Sequence, residues 1–182
     1  MKINSRREKE MEDYQMIIPR IYLGGSDGSK DSLFIKSKKI SVIVNCTKDL
    51  PNHFEPLFIE PVESAPKDVQ EWIYHHLPKY YRIPVDDNMK DVEIARFYEF
   101  SKNMIPTIVK DYHEGKNIFI HCLAGAQRSA GFVCMLLMTL EKISMEEAIE
   151  KIVQKRRQAF CFGMQVNFHD AILKYQSTIL EK

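Results

Sequence analysis

The chain has 182 residues, of which 45% are hydrophobic and 28% are charged, and its formal net charge is +1 at pH 7. This length and composition are typical of one globular domain with a sizeable hydrophobic core. The near-zero net charge excludes the strong basic bias of many proteins that bind nucleic acid or anionic membranes, so we expect neither partner.

The cysteines and the first segment indicate where the protein works. Four cysteines without close spacing do not form the framework of a disulfide-rich domain, which indicates a reducing compartment, the cytoplasm or the nucleus. Residues 1–15 are rich in charge and show no signal peptide, and the longest apolar run, residues 132–138, is too short to span a bilayer.

The chain divides into a polar N-terminal arm over residues 1–15 and a single domain over residues 16–182. Three alternatives remain open for the arm: a frayed tail, a short helix, or a segment that docks on a second copy and forms a homodimer. Residues 32–38 predict a short helix. Residues 40–46 are largely β-branched, which indicates a central strand of a parallel sheet.

Residues 51–79 begin with four prolines spaced five residues apart. A helical pattern follows over residues 68–77. Its apolar face consists of Val69, Trp72, Ile73 and His76. We predict a surface elaboration that packs its tryptophan inward, and a surface for a partner or substrate is the alternative. His75 and His76 point to different sides of a helix with no other ligand nearby in sequence, so we predict no metal site there.

Residues 80–85 predict a strand that leads into an acidic loop at residues 86–88. A helix then extends over residues 92–113, with Asp91 as its N-cap, and Pro106 should kink or divide it. Its predicted buried face consists of Ile94, Phe97, Tyr98, Ile105, Ile108 and Val109.

Residues 117–131 carry the strongest functional pattern. Three β-favouring apolar residues lead into a loop of small residues, and an apolar segment follows over residues 132–140, which predicts a buried strand, a turn and a buried helix. Such a loop directs unpaired backbone N–H groups at one point, and the helix dipole adds partial positive charge there. We therefore predict an anion-binding site at this loop.

Two side chains give this loop its chemistry: Cys122 at its start and Arg128 at its end. A thiol in a positive field ionises readily, so we expect Cys122 to act as a thiolate nucleophile near neutral pH. The fork of Arg128 can hold two phosphate oxygens. Ser129 can hydrogen-bond the sulfur, and Gly125 permits a positive φ. None of the other three cysteines has an arginine six residues later; an inert buried Cys122 is the alternative.

Two more helices follow. Ser144 and Glu147 form a capping box that starts a helix reaching about residue 157. Four basic residues near its end form a basic face: Lys151, Lys155, Arg156 and Arg157. We expect a solvated face that also favours the helix dipole, with phosphoprotein recognition as the alternative. A last helix over residues 167–180 buries Phe168, Ile172, Tyr175 and Ile179.

Residues 121–129, His-Cys-Leu-Ala-Gly-Ala-Gln-Arg-Ser, resemble the signature His-Cys-x-x-Gly-x-x-Arg-Ser of the cysteine-dependent protein tyrosine phosphatase superfamily, and look most like its dual-specificity branch. The resemblance covers residues 16–180 and implies an α/β fold with a mostly parallel central sheet flanked by helices. It implies that residues 19–24 are the opening strand and turn and that residues 51–79 contain an insertion. Residues 158–166 depart from the family, so the support of the loop should differ there.

The resemblance implies an enzyme that passes the phosphoryl group through a phosphocysteine on Cys122. The family carries its general acid in an Ile-Pro-x-x-Asp segment, which selects Asp87; Asp86, or an acidic loop that only caps a helix, are alternatives. His121 should orient the loop and tune the thiol. The residues of the phosphate-binding loop are Leu123, Ala124, Gly125, Ala126, Gln127 and Arg128. No cofactor and no metal are implied.

The substrate prediction depends on what the loop lacks. Leu123, Ala126 and Gln127 carry no positive charge, unlike members that act on polyanionic inositol phosphates, which favours a phosphorylated protein substrate and a role in signalling. No deep phosphotyrosine-recognition loop is visible, so we predict a dual-specificity protein phosphatase. One alternative is a phosphatase of RNA 5′ ends or another non-protein phosphate. The other is a phosphoprotein-binding module without turnover.

Cys46 ends a strand that we predict to lie beside the strand before Cys122. One hypothesis is that Cys46 traps oxidised Cys122 as a reversible disulfide. The alternative is an ordinary buried core cysteine.

Overall fold

The computed structural model describes residues 13–55, 66–88, 90–161 and 168–180. Within these ranges, five strands form one sheet in the order β1, β2, β5, β3, β4. The strands are β1 (Tyr14–Ile18), β2 (Ile21–Gly24), β3 (Ile40–Asn45), β4 (Lys79–Arg82) and β5 (Asn117–His121). Only the β1 and β2 pair is antiparallel among them. The predicted mostly parallel central sheet is therefore confirmed.

Helices cover both faces of this sheet. In the described ranges the α-helices are α1 (Ser32–Ser37), α2 (Lys67–His75), α3 (Asp91–His113), α4 (Arg128–Glu141), α5 (Met145–Lys155) and α6 (His169–Leu180), and a short 3-10 helix spans Gly28–Lys30. Side chains alternate along a strand, so Ile118 and Ile120 of β5 join the core shared with α3 to α6, whereas Phe119 packs with residues of α1 and α2. The two cores confirm the α/β class with helices on both sides.

Most predicted elements lie where expected. α1 and β3 match the helix and strand predicted over residues 32–38 and 40–46, and the capping box of α5 is present. The helix before β5 is continuous, with Pro106 inside α3, so the alternative of a divided helix is wrong. No helix in the part of the chain that the structure describes is long and apolar enough to cross a membrane.

The N-terminal segment differs from expectation, because β1 is a strand that the sequence did not indicate. It begins at Tyr14, inside the arm assigned to residues 1–15. Residues 1–12 lie outside the described residues, so the alternatives for the arm stay open.

The segment between β3 and β4 contains the predicted short helix, although residues 56–65 lie outside the described residues. Val69 and Ile73 of α2 are buried as predicted. His76 is not on the buried face: it follows the end of α2, is exposed, and stacks on the half-buried Trp72 ring.

The carboxyl ends of the parallel strands meet at one edge of the sheet. His121 at the end of β5 is in register with Gly24 of β2 and Asn45 of β3. Loops that leave parallel strands at this edge commonly form the binding crevice of an α/β protein. The loop predicted to bind an anion follows His121, so it lies at this crevice with the loops after β2 and β3 on either side.

Candidate active site

The phosphate loop, residues 122–128, connects the last residue of β5 to the first turn of α4. Cys122 is buried at its start, with 2% of its surface exposed. The Ser129 hydroxyl donates a hydrogen bond to Cys122 Sγ over 3.1 Å. Such a donor stabilises negative charge on sulfur. The structure therefore brings together the predicted nucleophile and the serine predicted to assist it.

Hydrogen bonds from the surrounding residues orient the backbone of the phosphate loop. Every carbonyl oxygen from residue 123 to residue 127 accepts a hydrogen bond from a group outside the loop. The donors are Ser26 N–H to Leu123 O (2.9 Å), Arg156 Nη2 to Ala124 O (2.9 Å), Arg156 Nε to Gly125 O (2.8 Å), Phe160 N–H to Ala126 O (2.8 Å) and Gly131 N–H to Gln127 O (2.7 Å). With the carbonyls held outward, the amide N–H groups can face a bound anion, as in an anion nest.

Gly125 is required at the centre of the loop. Its φ is +64°, a left-handed conformation, and a Cβ there would lie 2.5 Å from Arg156 Nη2 and 2.5 Å from the Gly24 backbone. No side chain fits in that space. The close approach of β2 and Arg156 to the loop thus depends on this glycine.

Arg156 is the largest departure from the sequence prediction. We expected it on a solvated basic face with Lys151, Lys155 and Arg157, but its side chain is fully buried and donates to two loop carbonyls. The physical reason is that α5 ends at Lys155 and the chain turns inward at Arg156. Lys151 pairs with Glu141 on the surface instead.

Opposite the phosphate loop lies the acid loop, residues 83–88, which follows β4. Asp87 Oδ2 is 3.6 Å from Arg128 Nε, and Arg128 Nη1 donates to Val85 O over 3.3 Å. Asp86 instead faces Lys48, with 3.6 Å between Oδ2 and Nζ. The structure therefore places Asp87, and not Asp86, beside the arginine of the phosphate loop.

Arg128 also retains a donor for an anion. Its Nε is buried and makes no hydrogen bond within the described residues, since 3.6 Å to Asp87 is too long for one. An unbonded buried guanidinium N–H is costly unless a ligand accepts from it. An oxygen of a bound phosphate would fill that role.

Glu93, a residue that the sequence did not indicate, holds the acid loop from the first turn of α3. Its buried carboxylate accepts the Asp86 N–H over 2.8 Å and pairs with Arg96 over 2.8 Å. A buried carboxylate next to an acidic loop is a signal that only the three-dimensional contact reveals. It fixes the backbone directly before Asp87.

His121 at the end of β5 and Cys46 directly after β3 are both fully buried. Burial lowers the pKa of the His121 imidazole to about 4, so the ring is neutral at physiological pH. Cys46 follows β3, beside β5 as predicted, and its N–H donates to His121 O over 2.8 Å. Burial raises the pKa of the Cys46 thiol well above its usual value, so this thiol stays protonated. The disulfide between Cys46 and Cys122 stays a prediction, to be tested by peroxide treatment and mass spectrometry.

Comparison with known proteins gives a consistent result. Residues 21–178 match the family model described as dual specificity phosphatase, catalytic domain. The chain is 26% identical over 164 residues to human dual specificity protein phosphatase 2, a match that covers 90% of this chain and 44% of that relative. It therefore spans less than half of the length of this relative.

The fold is also found in solved structures. Human DUSP28 has a TM-score of 0.71 at 15% identity, covering 93% of this chain and 97% of that chain. A mouse putative dual specificity phosphatase complexed with zinc tungstate also has a TM-score of 0.71, at 17% identity, covering 97% of this chain and 94% of that chain. At these identities the likeness concerns the fold alone.

Proposed function

The chain belongs to the dual-specificity phosphatase family, and we propose that it hydrolyses phosphotyrosine and phosphoserine or phosphothreonine in protein substrates through a phosphocysteine on Cys122. The observation that carries this proposal is the phosphate loop itself. Its five outward carbonyls leave the amides free for an anion, and the sulfur that accepts from Ser129 lies at the start of the same loop.

In the first step, Cys122 attacks phosphorus as the thiolate, so an S–P bond forms while the bond between phosphorus and the leaving oxygen breaks. Asp87 donates its proton to that oxygen, which departs as a neutral alcohol or phenol. Arg128 and the loop amides bind the equatorial oxygens, where the charge is spread in the transition state.

In the second step, Asp87, now a carboxylate, takes a proton from water while the water oxygen attacks phosphorus. The S–P bond breaks and inorganic phosphate forms. The Ser129 hydroxyl, 3.1 Å from Sγ, stabilises the departing thiolate. The 3.6 Å contact between Asp87 and Arg128 supports this role, because it holds the acid at the edge of the anion site.

A protein substrate is supported by the surface of the loop. Leu123 is 58% exposed, so the rim beside the nucleophile presents an apolar side chain. Such a side chain suits the flanking residues of a phosphoprotein better than the extra phosphates of a polyanion. The reaction needs a free thiol, so we propose that the protein works in a reducing compartment such as the cytoplasm or nucleus.

The test is phosphate release from matched phosphotyrosine and phosphothreonine peptides in the presence of EDTA. We expect activity on both peptides, complete loss in Cys122→Ser, and a loss of about 100-fold in Asp87→Asn. Asp86→Asn is the matched control, since it changes the neighbouring carboxylate that faces Lys48; it should stay within about fivefold of the parent, as expected for an exposed ion pair.

Other outcomes would change the proposed substrate, the proposed turnover or the proposed general acid. Release confined to RNA with a 5′-triphosphate would make the substrate a nucleic acid. Phosphopeptide binding without any phosphate release would favour a binding module. A larger loss in Asp86→Asn than in Asp87→Asn would transfer the acid role to Asp86.

A further inference from the structure

We propose that Asp13 is a positioning residue for the phosphate loop, acting through Arg156 and through the turn after β2. The proposal rests on the proposed function, because it concerns how the same loop is kept ready for a phosphate. Asp13 lies directly before β1 and touches neither Cys122 nor Arg128 in any contact that the structure shows. Its effect on the site must therefore pass through other residues.

The Asp13 carboxylate connects two supports of the loop. Its Oδ1 accepts from Arg156 Nη2 over 3.1 Å, and its Oδ2 accepts the N–H groups of Asp27 and Gly28 over 3.1 and 3.2 Å. The Asp13 main-chain oxygen also accepts the Gly25 N–H over 3.0 Å. One residue thus holds both the guanidinium and the turn that follows β2.

Arg156 needs this carboxylate because its charge is buried. The side chain has no solvent exposure, and its other hydrogen-bond acceptors are neutral: two loop carbonyls and Gln15 Oε1. Asp13 is its only ion-pair partner among the described residues. A buried guanidinium that loses its anion tends to move toward water or recruit it, and the loop carbonyls then lose their donor.

The turn after β2 provides a second route. Asp13 caps this turn through Asp27 and Gly28, and within the turn Ser26 donates its N–H to Leu123 O over 2.9 Å. The carbonyls of residues 123, 124 and 125 therefore all depend on groups that Asp13 holds. These three successive carbonyls begin at Leu123, the residue directly after Cys122.

The expected sign separates positioning from simple electrostatics. Removing the Asp13 carboxylate takes a negative charge away from an anion site, which on charge alone would tighten phosphate binding. Loss of loop geometry acts in the opposite direction, since small displacements of several donors weaken binding. Weaker binding in a folded variant is therefore the result that the change in charge alone does not explain.

The test measures binding of inorganic phosphate by calorimetry in a Cys122→Ser parent, which separates binding from turnover. We expect Asp13→Ala to weaken binding about tenfold or more, and Asp13→Asn, which keeps an acceptor for the turn, to weaken it by about threefold to tenfold. Asp27→Ala is the matched control, because the Asp27 side chain is 85% exposed and, in the part of the chain that the structure describes, pairs only with Lys30 at 3.7 Å. It should bind as the parent does.

A charge-relocation variant tests the route through Arg156. Gln15 Oε1 accepts from Arg156 Nη1 over 2.5 Å, so Gln15→Glu places a carboxylate on the same guanidinium. In the double variant Asp13→Asn and Gln15→Glu, we expect phosphate binding to recover to within about twofold of the parent. A merely structural role for Asp13 would not be repaired by a charge two residues away.

The outcomes are distinct. Binding that is unchanged or tighter in Asp13→Asn overturns the proposal, and so does a double variant that binds no better than Asp13→Asn. If Asp13→Ala is unfolded by circular dichroism, Asp13→Asn and the double variant decide the question. A Cys122→Ser parent that binds no phosphate at all contradicts the proposed function, and the positioning role falls with it. A parent that binds while Asp13→Asn equals it contradicts the positioning role alone.

Discussion

The phosphate loop and the acid loop face each other across one site, but different kinds of contact hold them. Behind the phosphate loop, five successive carbonyls accept hydrogen bonds, two of them from the fully buried Arg156. The acid loop is held mainly by charged side chains: Glu93 accepts the Asp86 N–H, Arg128 donates to Val85 O, and two charge contacts join Lys48 with Asp86 and Arg128 with Asp87. One loop is held at every successive backbone carbonyl, and the other is held at a few points by charged side chains.

This difference suits the two roles. Donors that stabilise a transition state are effective when they are in place before the substrate arrives. A proton donor must first give its proton to one group and later take one from water, so its loop benefits from room to adjust. In the proposed mechanism the anion site is therefore built in advance while the acid keeps room to adjust, and four changes would break or sharpen this contrast.

The largest effect is expected from Gly125→Ala. The added Cβ would lie 2.5 Å from Arg156 Nη2 and from Gly24, so the loop must shift. We expect phosphate release from a phosphotyrosine peptide to fall by about 100-fold or more. Gly115→Ala is the matched control: its φ is +86°, but the nearest atom to a new Cβ is 3.8 Å away. It should lose about 1–2 kcal/mol of stability and keep its activity; equal activity losses in both variants would contradict the prediction.

The second effect concerns the pH dependence of stability that arises from the buried His121, directly before the phosphate loop. His121 has a folded pKa of about 4 against an ordinary value of 6.5. Above pH 6.5 His121 is neutral in both states, so it does not lower the free energy of unfolding. As pH falls from 6.5 toward 4, this free energy decreases, because only the unfolded chain takes up the proton. Between about pH 7.5 and about pH 5 this amounts to about 2 kcal/mol.

We expect the free energy of unfolding, measured with urea, to fall between these two pH values in both proteins. The fall should be smaller in His121→Asn than in the parent by this amount. Burial also lowers the pKa of His53, but that residue is unchanged in both proteins and cancels in the comparison. An identical drop in the two proteins would show that His121 does not titrate as its burial requires.

The third effect is on the acid side. Glu93→Ala removes the acceptor of the Asp86 N–H, so we expect kcat to fall by about tenfold for a substrate with a poor leaving group. A substrate whose leaving group needs no proton should be almost unaffected. Arg96→Ala removes the exposed partner of the Glu93 ion pair but leaves Glu93 to accept the Asp86 N–H, so it should have little effect on either substrate. An equal loss on both substrates would show that Glu93 does not act through the acid.

The smallest effect is expected from Lys48→Ala. The Lys48 and Asp86 side chains are 55% and 38% exposed, and exposed ion pairs contribute less than about 1 kcal/mol. We expect a change in kcat of about twofold that disappears at high salt, measured on the phosphotyrosine peptide. A tenfold change that persists in salt would show that the acid loop is as firmly fixed as the phosphate loop.

The centre of the site was predictable because it is local in sequence. A strand, a loop of small residues and a buried helix follow one another within 117–141, and the spacing of Cys122, Arg128 and Ser129 has a direct chemical meaning. Asp87 was harder, because Asp86 has the same chemistry. Only the family resemblance preferred one to the other, and the contact with Arg128 is a three-dimensional fact.

The supports were missed because they join distant parts of the chain. Gln15 and Asp13 are 141 and 143 residues from Arg156, and no local pattern connects them. A signal for Arg156 did exist. The buried residues of α5 are Met145, Ala148 and Ile152, and one more step of four residues along that stripe reaches Arg156. A charged residue at the end of an apolar stripe is a candidate for a buried, paired role.

The place of Asp13 in the chain also affects how the domain can be shortened. The family match begins at residue 21, at the start of β2. A protein cut there would keep Cys122, Arg128 and Asp87 and would lose β1, Gln15 and the carboxylate that neutralises Arg156. A shortened version of the domain should therefore begin before β1, although the match to the family model begins only at residue 21.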